Sequence, residues 1–209
     1  MLSGSSSAAD SMRGMNDPAL ESRTRGRTQR AILSAAASVL ARNRTATLPE
    51  IAEAAGVSRT TLRRYFPDRD GLISAAVEDS VEAIEQAVAD AEIEQGAPAE
   101  AMRRLVAAMV SVGDRLMFLF ADPQILEGHG GANGVPAPPS APDDPVIALI
   151  ERGQAEGVFD REVTPDWIQR VLWSLVYTGY EEADQGRLSR HGVTSVVIRT
   201  LENGIRVEN

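Results

Sequence analysis

The chain has 209 residues with no cysteine and two histidines, which excludes disulfide scaffolds, thiolate metal sites and histidine-rich metal sites. Hydrophobic residues make up 43% and charged residues 24%, as in globular proteins, and no apolar run reaches the ~18 residues of a membrane span. The net charge is −9, yet residues 1–70 hold 11 arginines against 7 acidic residues whereas residues 71–209 hold 10 against 23, so only the N-terminal part is suited to meet phosphates.

The N-terminal segment predicts a leader, a basic arm and a first helix. Residues 1–22 are rich in serine and glycine without periodicity, which predicts a disordered leader. A short basic arm follows, and it contains Arg23, Arg25, Arg27 and Arg30. The first helix is predicted from Thr28 to Arg42, because its apolar residues recur on one face.

Residues 47–70 contain the most informative pattern. Thr47 and Glu50 form a capping box, and Pro49 stands in the first turn, where its missing N–H costs nothing. Gly56 ends this second helix. Ser58 is a suitable N-cap for a third helix spanning Arg59 to Phe66.

This pattern meets the steric requirements of a helix-turn-helix. Ala52, in the second helix of the chain, is small where the third helix crosses it. Gly56 tolerates a left-handed backbone conformation at the turn between them. Apolar side chains at the turn and in the third helix face inward. The outward residues predicted to enter a DNA major groove are Ser58, Arg59, Thr60, Thr61, Arg63 and Arg64. An ordinary helical hairpin is the alternative, and it does not explain the concentration of arginine.

The rest of the chain predicts further helices and one irregular segment. The predicted helices are Asp68–Ile93, Ala99–Phe120, Val146–Glu156, Thr164–Asp184 and Ser189–Val207, with a short one near residues 122–127. Residues 128–145 hold four glycines and five prolines, which predicts a flexible loop. No alternating run persists, so the predicted fold class is all-α.

The motif in residues 47–70 resembles that of the tetracycline-repressor (TetR) family of transcriptional regulators. The matching residues are Thr47, Ile51-Ala52, Ala55-Gly56-Val57-Ser58, Thr61-Leu62, Tyr65-Phe66, Pro67 and Arg69. One position departs, because Arg63 stands where the family usually has tyrosine. Arginine there is suited to bind a phosphate or a guanine edge.

The resemblance implies DNA-binding roles for individual residues. Thr47 would cap the second helix and bond a phosphate, and Thr60 and Thr61 would face the groove. Arg63 and Tyr65 stand where the family contacts backbone and base edges.

Three further arginines receive roles in the same way. Arg69 would clamp a phosphate from the start of the fourth helix. Arg25 and Arg27 of the arm would reach a minor groove.

The resemblance also implies a homodimer and an effector pocket in the C-terminal part. The predicted dimer residues are Trp167, Val171, Leu175, Val193, Val196, Val197 and Leu201. The predicted pocket residues are Met102, Met109, Leu116, Trp173 and Tyr177. Both sets have a simpler interpretation as protomer core. Asp114 and Arg115 are either polar groups of the pocket or an exposed pair.

These inferences define an organisation and a function. We predict a disordered leader over residues 1–22, a helix-turn-helix DNA-binding domain over 23–68, and a helical effector-binding and dimerisation domain over 69–209. The predicted protein is a cytoplasmic homodimeric repressor that binds a palindromic double-stranded DNA operator and is released by a small molecule, with no cofactor, metal or membrane partner. A regulator without an effector is the first alternative. An all-helical enzyme is the second, although no Ser–His–acid spacing, HExxH motif or phosphate loop is present.

Overall fold

The computed structural model describes residues 18–120 and 144–205, with side chains from Ser22 onward. This part of the chain contains nine α-helices and no strand. The helices are α1 (Pro18–Arg42), α2 (Leu48–Ala54), α3 (Arg59–Tyr65), α4 (Arg69–Asp90), α5 (Pro98–Ser111), α6 (Gly113–Phe120), α7 (Pro145–Ala155), α8 (Pro165–Asp184) and α9 (Val193–Ile205). A single 3₁₀ turn, Arg190–Gly192, precedes α9. The all-α prediction is confirmed for these residues.

Helix α1 begins ten residues before the predicted Thr28 and includes residues 18–22 of the predicted leader. Pro18 occupies the first turn, where it needs no N–H partner, and most of the following residues have good helix propensity. The early turns lack an apolar stripe, so periodicity did not reveal them. Residues 1–17 lie outside the described residues.

The predicted helix Ala99–Phe120 is wrong, because two helices, α5 and α6, occupy this span. The break falls at Val112, whose φ of −103° and ψ of 20° are not helical. A Cβ on Gly113 would lie 2.0 Å from Cε2 of Tyr180, so only glycine fits where α6 begins beneath the Tyr180 ring.

The predictions for residues 122–127 and 128–143 fall outside the described residues. The last two residues of the predicted loop are described, and they form the start of α7. The Asp144 side chain caps this helix by accepting hydrogen bonds from the backbone of Val146 and Ile147, and Pro145 occupies its first turn.

The molecule has two hydrophobic cores, one in the head (α1–α3) and one in the body (α4–α9). The head core draws residues from α1 to α3 and is completed by Leu72, Ala76 and Val77 of α4 and by Phe118 and Leu119 of α6. A boundary at residue 68 therefore cuts off helices that complete the core of the head. Helix α6 also contributes to the body core, so it joins the two.

Helices α8 and α9 pack closely within one protomer. A Cβ on Gly179 would lie 2.9 Å from Cγ1 of Val193 and 3.1 Å from Cγ2 of Val197. Val193, Val197 and Leu201 are at most 2% exposed. The prediction that these three residues form a dimer interface is therefore corrected: they fill the core of the protomer.

None of the described helices combines the length and the apolar composition needed to cross a membrane. Among the same residues, no group of three or more histidine, aspartate or glutamate side chains is arranged to hold a metal ion.

Candidate nucleic-acid interface

The start of α2 is held by the predicted pairing of Thr47 and Glu50. The Thr47 backbone N–H donates to Oε2 of Glu50 at 2.6 Å, and the Thr47 hydroxyl donates to the same oxygen at 2.7 Å. These bonds lower the pKa of Glu50 below its ordinary value, with the backbone bond as the larger cause. The Thr47 hydroxyl hydrogen is thus already engaged, so a donated bond to a phosphate requires Glu50 to release it.

The turn between α2 and α3 follows the predicted pattern. Gly56 has a φ of +65°, and the N–H of Val57 donates to the carbonyl of Ala52 at 2.9 Å. Ala52 and Leu62 are each 1% exposed, because the two helices press these side chains into the head core. This packing leaves the opposite side of α3 exposed.

The first turn of α3 is fixed by hydroxyl groups. The Ser58 hydroxyl accepts from the Thr61 backbone N–H at 3.0 Å and lies 2.9 Å from the Thr61 hydroxyl. Ser58 and Thr61 therefore hold the helix start, while Arg59 and Thr60 point outward without such a local bond. Of the predicted contact residues in this turn, Arg59 and Thr60 are thus the ones whose side chains are not engaged in holding the helix start.

The exposed side of α3 carries unpaired positive charge. Arg59, Arg63 and Arg64 are exposed, and none of them forms an ion pair with a described carboxylate. The Arg64 guanidinium lies 5.5 Å from the centroid of the Tyr65 ring. Such a surface is suited to meet DNA phosphates and base edges.

Helix α1 adds a second contact to the same tyrosine. The Arg25 guanidinium lies 5.9 Å from the Tyr65 ring centroid, within cation–π range. This contact spans forty residues of sequence, and no local pattern could have predicted it. It places the beginning of α1 beside α3.

The predicted arm is therefore a helix. An α-helix is about 10–12 Å wide with its side chains, whereas the minor groove of B-DNA is about 6 Å wide. The helix itself does not fit in that groove, so only the arginine side chains could enter it, and the minor-groove contact stays a prediction. Arg25 and Arg27 are both exposed on α1.

Arg69 braces the head from the first residue of α4. Its guanidinium donates hydrogen bonds to the carbonyl oxygens of Ala46 and Arg44 in the loop before α2. The half-buried side chain thus holds the loop that carries Thr47. Its predicted phosphate contact stays a prediction.

The predicted effector residues lie in or beside the body core. Met102, Met109, Leu116 and Trp173 are buried in one cluster, and Tyr177 packs edge-to-face against Phe120 with ring centroids 5.8 Å apart. The Trp173 Nε1 is buried, and it has no hydrogen-bond partner among the described residues.

Two surface grooves are formed elsewhere. One of about 750 Å³ lies between α1, α4 and Arg115, and one of about 570 Å³ lies between α4 and α5. Neither groove is lined by a predicted effector residue.

The remaining predicted dimer residues lie on an open face. Trp167 is 59% exposed, and Val171 and Leu175 follow it at four-residue spacing on α8, each partly exposed. Val196 of α9 is also partly exposed. An exposed tryptophan in line with apolar neighbours is typical of a surface that another protein covers.

The sequence matches known regulators along most of its length. Residues 32–76 match the family of bacterial regulatory proteins called the tetR family. The transcriptional repressor LfrR of Mycolicibacterium smegmatis is 35% identical over 191 residues, which cover 91% of this chain and 97% of LfrR. The transcriptional regulator NfxB of Pseudomonas aeruginosa is 32% identical over 184 residues, which cover 85% and 96%.

Solved structures show the same likeness. The crystal structure of LfrR from Mycobacterium smegmatis superimposes with a TM-score of 0.68 and covers 88% of this chain and 99% of that one. The structure of LfrR in complex with proflavine has a TM-score of 0.64 with the same coverage. The Mycobacterium tuberculosis regulator KstR2, at 18% identity and a TM-score of 0.63, shares the fold. The chain therefore belongs to the TetR family of DNA-binding transcriptional regulators.

Proposed function

We propose that this protein is a ligand-responsive repressor that binds a palindromic operator as a homodimer and is released by a small molecule. The observation that carries the proposal is the exposed, unpaired arginine surface of α3, supported from behind by the buried Leu62. In an otherwise acidic protein, this surface suits a polyanionic partner.

Contacts on DNA divide into reading and positioning groups. Arg63 lies on the exposed side of α3, and its planar guanidinium matches the two acceptors of guanine in the major groove. Thr60 is the exposed hydroxyl nearest to it on the preceding turn. Arg59 and Arg64 are assigned to phosphates, together with Arg25, which the Tyr65 ring holds beside α3.

A single α3 of seven residues reads only a short site. Two copies related by two-fold symmetry would read half-sites about 34 Å apart or a multiple of that distance. The open face of Trp167, Val171 and Leu175 on α8, extended by Val196 on α9, supports this dimer. Burying an exposed tryptophan side chain removes a large apolar area from water.

Release by a small molecule is proposed from two observations. LfrR, which is 32% identical in the structural superposition and similar in fold, has been solved with proflavine bound. In this chain, the body core carries two adaptable methionines, Met102 and Met109, near a buried Trp173 whose indole N–H has no partner among the described residues. A ligand acceptor would satisfy that donor.

The experiment begins with selection of operator duplexes from a random pool by the full-length protein. Fluorescence anisotropy then compares the selected duplex with a scrambled one across a salt series. We expect sequence-dependent binding with a steep salt slope, and binding to any duplex equally would contradict the proposal. Proflavine is the first effector probe, and we expect it to release the protein from the selected duplex.

The alternative regulator without an effector is separated by the same assay. It predicts operator binding that neither proflavine nor a wider compound library reverses. The dimer is tested by sedimentation. The wild type should be dimeric and Trp167→Glu should be monomeric. Arg187→Ala, at an exposed position of the body, is the control and should stay dimeric.

A further inference from the structure

A cluster of polar side chains joins the head to the body where α1, α6 and α8 meet. The Arg42 Nε, at the end of α1, lies 2.7 Å from Oδ1 of Asp184 at the end of α8. The Arg42 Nη2 lies 3.6 Å from Oδ1 of Asp114 in α6. The Tyr180 hydroxyl of α8 donates to the same Asp114 oxygen at 3.0 Å. We call these four residues the polar junction.

Arg190, in the 3₁₀ turn before α9, contacts two residues of the polar junction. The Arg190 Nη2 lies 3.5 Å from Oδ1 of Asp184, and its guanidinium lies 5.8 Å from the Tyr180 ring centroid. Burial, and then the charge of Asp114, raise the pKa of Tyr180, which therefore keeps its hydroxyl hydrogen for donation. The Asp114 carboxylate thus forms an ion pair with Arg42 and accepts a hydrogen bond from the Tyr180 phenol.

Close packing fixes α6 against α8 at the junction. The Tyr180 ring occupies the space where a Cβ on Gly113 would stand, so α6 starts directly beneath that ring. A large rotation of α1 relative to α8 would separate Arg42 from Asp184.

Arg115, the residue after Asp114, connects α6 to α4. Arg115 pairs with Asp79 of α4 at 2.5 Å, and both side chains are largely buried, at 14% and 18% exposure. Adjacent residues of one short helix therefore bind α1 and α8 through Asp114 and α4 through Arg115. Asp114 and Arg115 are neither a simple exposed pair nor groups of the predicted pocket.

We propose that the polar junction sets the angle between head and body and so determines which operator half-site spacing the dimer accepts. This inference rests on the proposed homodimer. The open face of α8 and the junction residues Tyr180 and Asp184 lie on the same 20-residue helix. A head bound rigidly to that helix is held at a fixed distance and rotation from the two-fold axis.

Spacing selectivity is the property that distinguishes this role from a merely structural one. Each added base pair moves a half-site by about 3.4 Å and rotates it by roughly 35°. A rigid junction tolerates few such displacements. A loosened junction lets each head follow its half-site while the reading residues of α3 stay unchanged.

The test measures the dissociation constant on selected operators whose centre is shortened or lengthened by one or two base pairs. We expect the wild type to prefer one spacing by more than ~10-fold, which lies within the usual range of coupling between sites. Arg42→Gln and the milder Tyr180→Phe should reduce that preference to ~3-fold or less, with unchanged affinity for an isolated half-site.

Arg103→Gln is the matched control. Arg103 pairs with Glu202 at 2.6 Å wholly within the body, so its loss removes an ion pair without touching the junction. Its spacing profile should equal that of the wild type.

Two outcomes would overturn the inference. The first is an unchanged spacing profile in Tyr180→Phe and in folded Arg42→Gln, as verified by circular dichroism. The second is a wild type that binds its operator specifically but has no spacing preference. Failure of the proposed function is recognised separately, since the wild type would then not discriminate selected from scrambled DNA.

Discussion

The head and the body use the same cation, arginine, in opposite ways. On α3, Arg59, Arg63 and Arg64 extend into solvent with no described carboxylate partner. In the body, Arg103 pairs with Glu202 and Arg187 pairs with Glu182. The contrast shows that the net charge of −9 says little about binding. The unpaired charge on one face decides where the protein can bind a polyanion.

The boundary between head and body follows neither the distribution of charge nor the order of the helices along the chain. Arg42 belongs to a head helix and pairs with the body, and Phe118 belongs to a body helix and fills the head core. The regions are thus chemically distinct and mechanically joined, which suits the proposed release from DNA by a ligand bound in the body.

The largest expected effect comes from removing the shared side chain Phe118, which is 1% exposed. Phe118→Ala should lower the free energy of unfolding by about 3–5 kcal/mol, because it opens a cavity where α6 completes the head core. Urea denaturation measures the loss. The partly exposed Phe120 is the control, and an equal loss in Phe120→Ala would contradict the assigned core.

A smaller loss is expected at the start of α6. Gly113→Ala forces the Tyr180 ring to move and should cost about 1–3 kcal/mol of stability, as overpacking does. Gly204→Ala is the matched control, since nothing lies within 4 Å of its added Cβ in α9. Thermal unfolding should show the control unchanged or slightly more stable.

The arginine contrast itself is tested on DNA. Arg63→Ala should weaken operator binding by about 1–3 kcal/mol and relax discrimination at one base position, because a base-reading contact is lost. Arg64→Ala should weaken all sequences alike and lower the salt slope by about 0.9. Arg187→Ala should do neither, and anisotropy titrations that show all three variants alike would contradict the contrast.

The hydroxyl that starts α3 has a modest expected effect. Ser58→Ala should destabilise the protein by about 1 kcal/mol, because the Thr61 backbone N–H loses its acceptor. Thermal unfolding provides the measurement. Ser34 is exposed in the middle of α1, so Ser34→Ala should show no such loss.

The smallest expected effect is on the acid side of stability. The pKa of Glu50 is lower in the folded protein than its ordinary value of 4.5, so its contribution is complete above that pH and is lost as pH falls toward the folded pKa. Glu50→Gln should therefore flatten the dependence of stability on pH below about 4.5. Urea titrations at several pH values test this.

Local signals predicted the head well. The capping box, Gly56 and the Ser58 cap act within three or four residues, so they define α2, the turn and α3 without any knowledge of the rest. The family and its DNA-binding function follow from this segment, since it is where the residue types are most restricted.

The prediction of the dimer surface was less complete. Burial of Val193, Val197 and Leu201 depends on which face α8 presents to α9, and sequence periodicity shows that a face is apolar but not what covers it. The same limit applies to the interpretation of Asp114 and Arg115.

The amino-acid sequence alone determined α2, the turn, α3 and the exposed arginines, because short-range backbone bonds and side-chain spacing specify them. Only the tertiary structure decided that α5 and α6 are separate, that Arg25 lies beside Tyr65, and that Arg42 meets Asp114 and Asp184. Those contacts join residues 40 to 142 positions apart. Their energies depend on how whole helices pack, which no local pattern encodes.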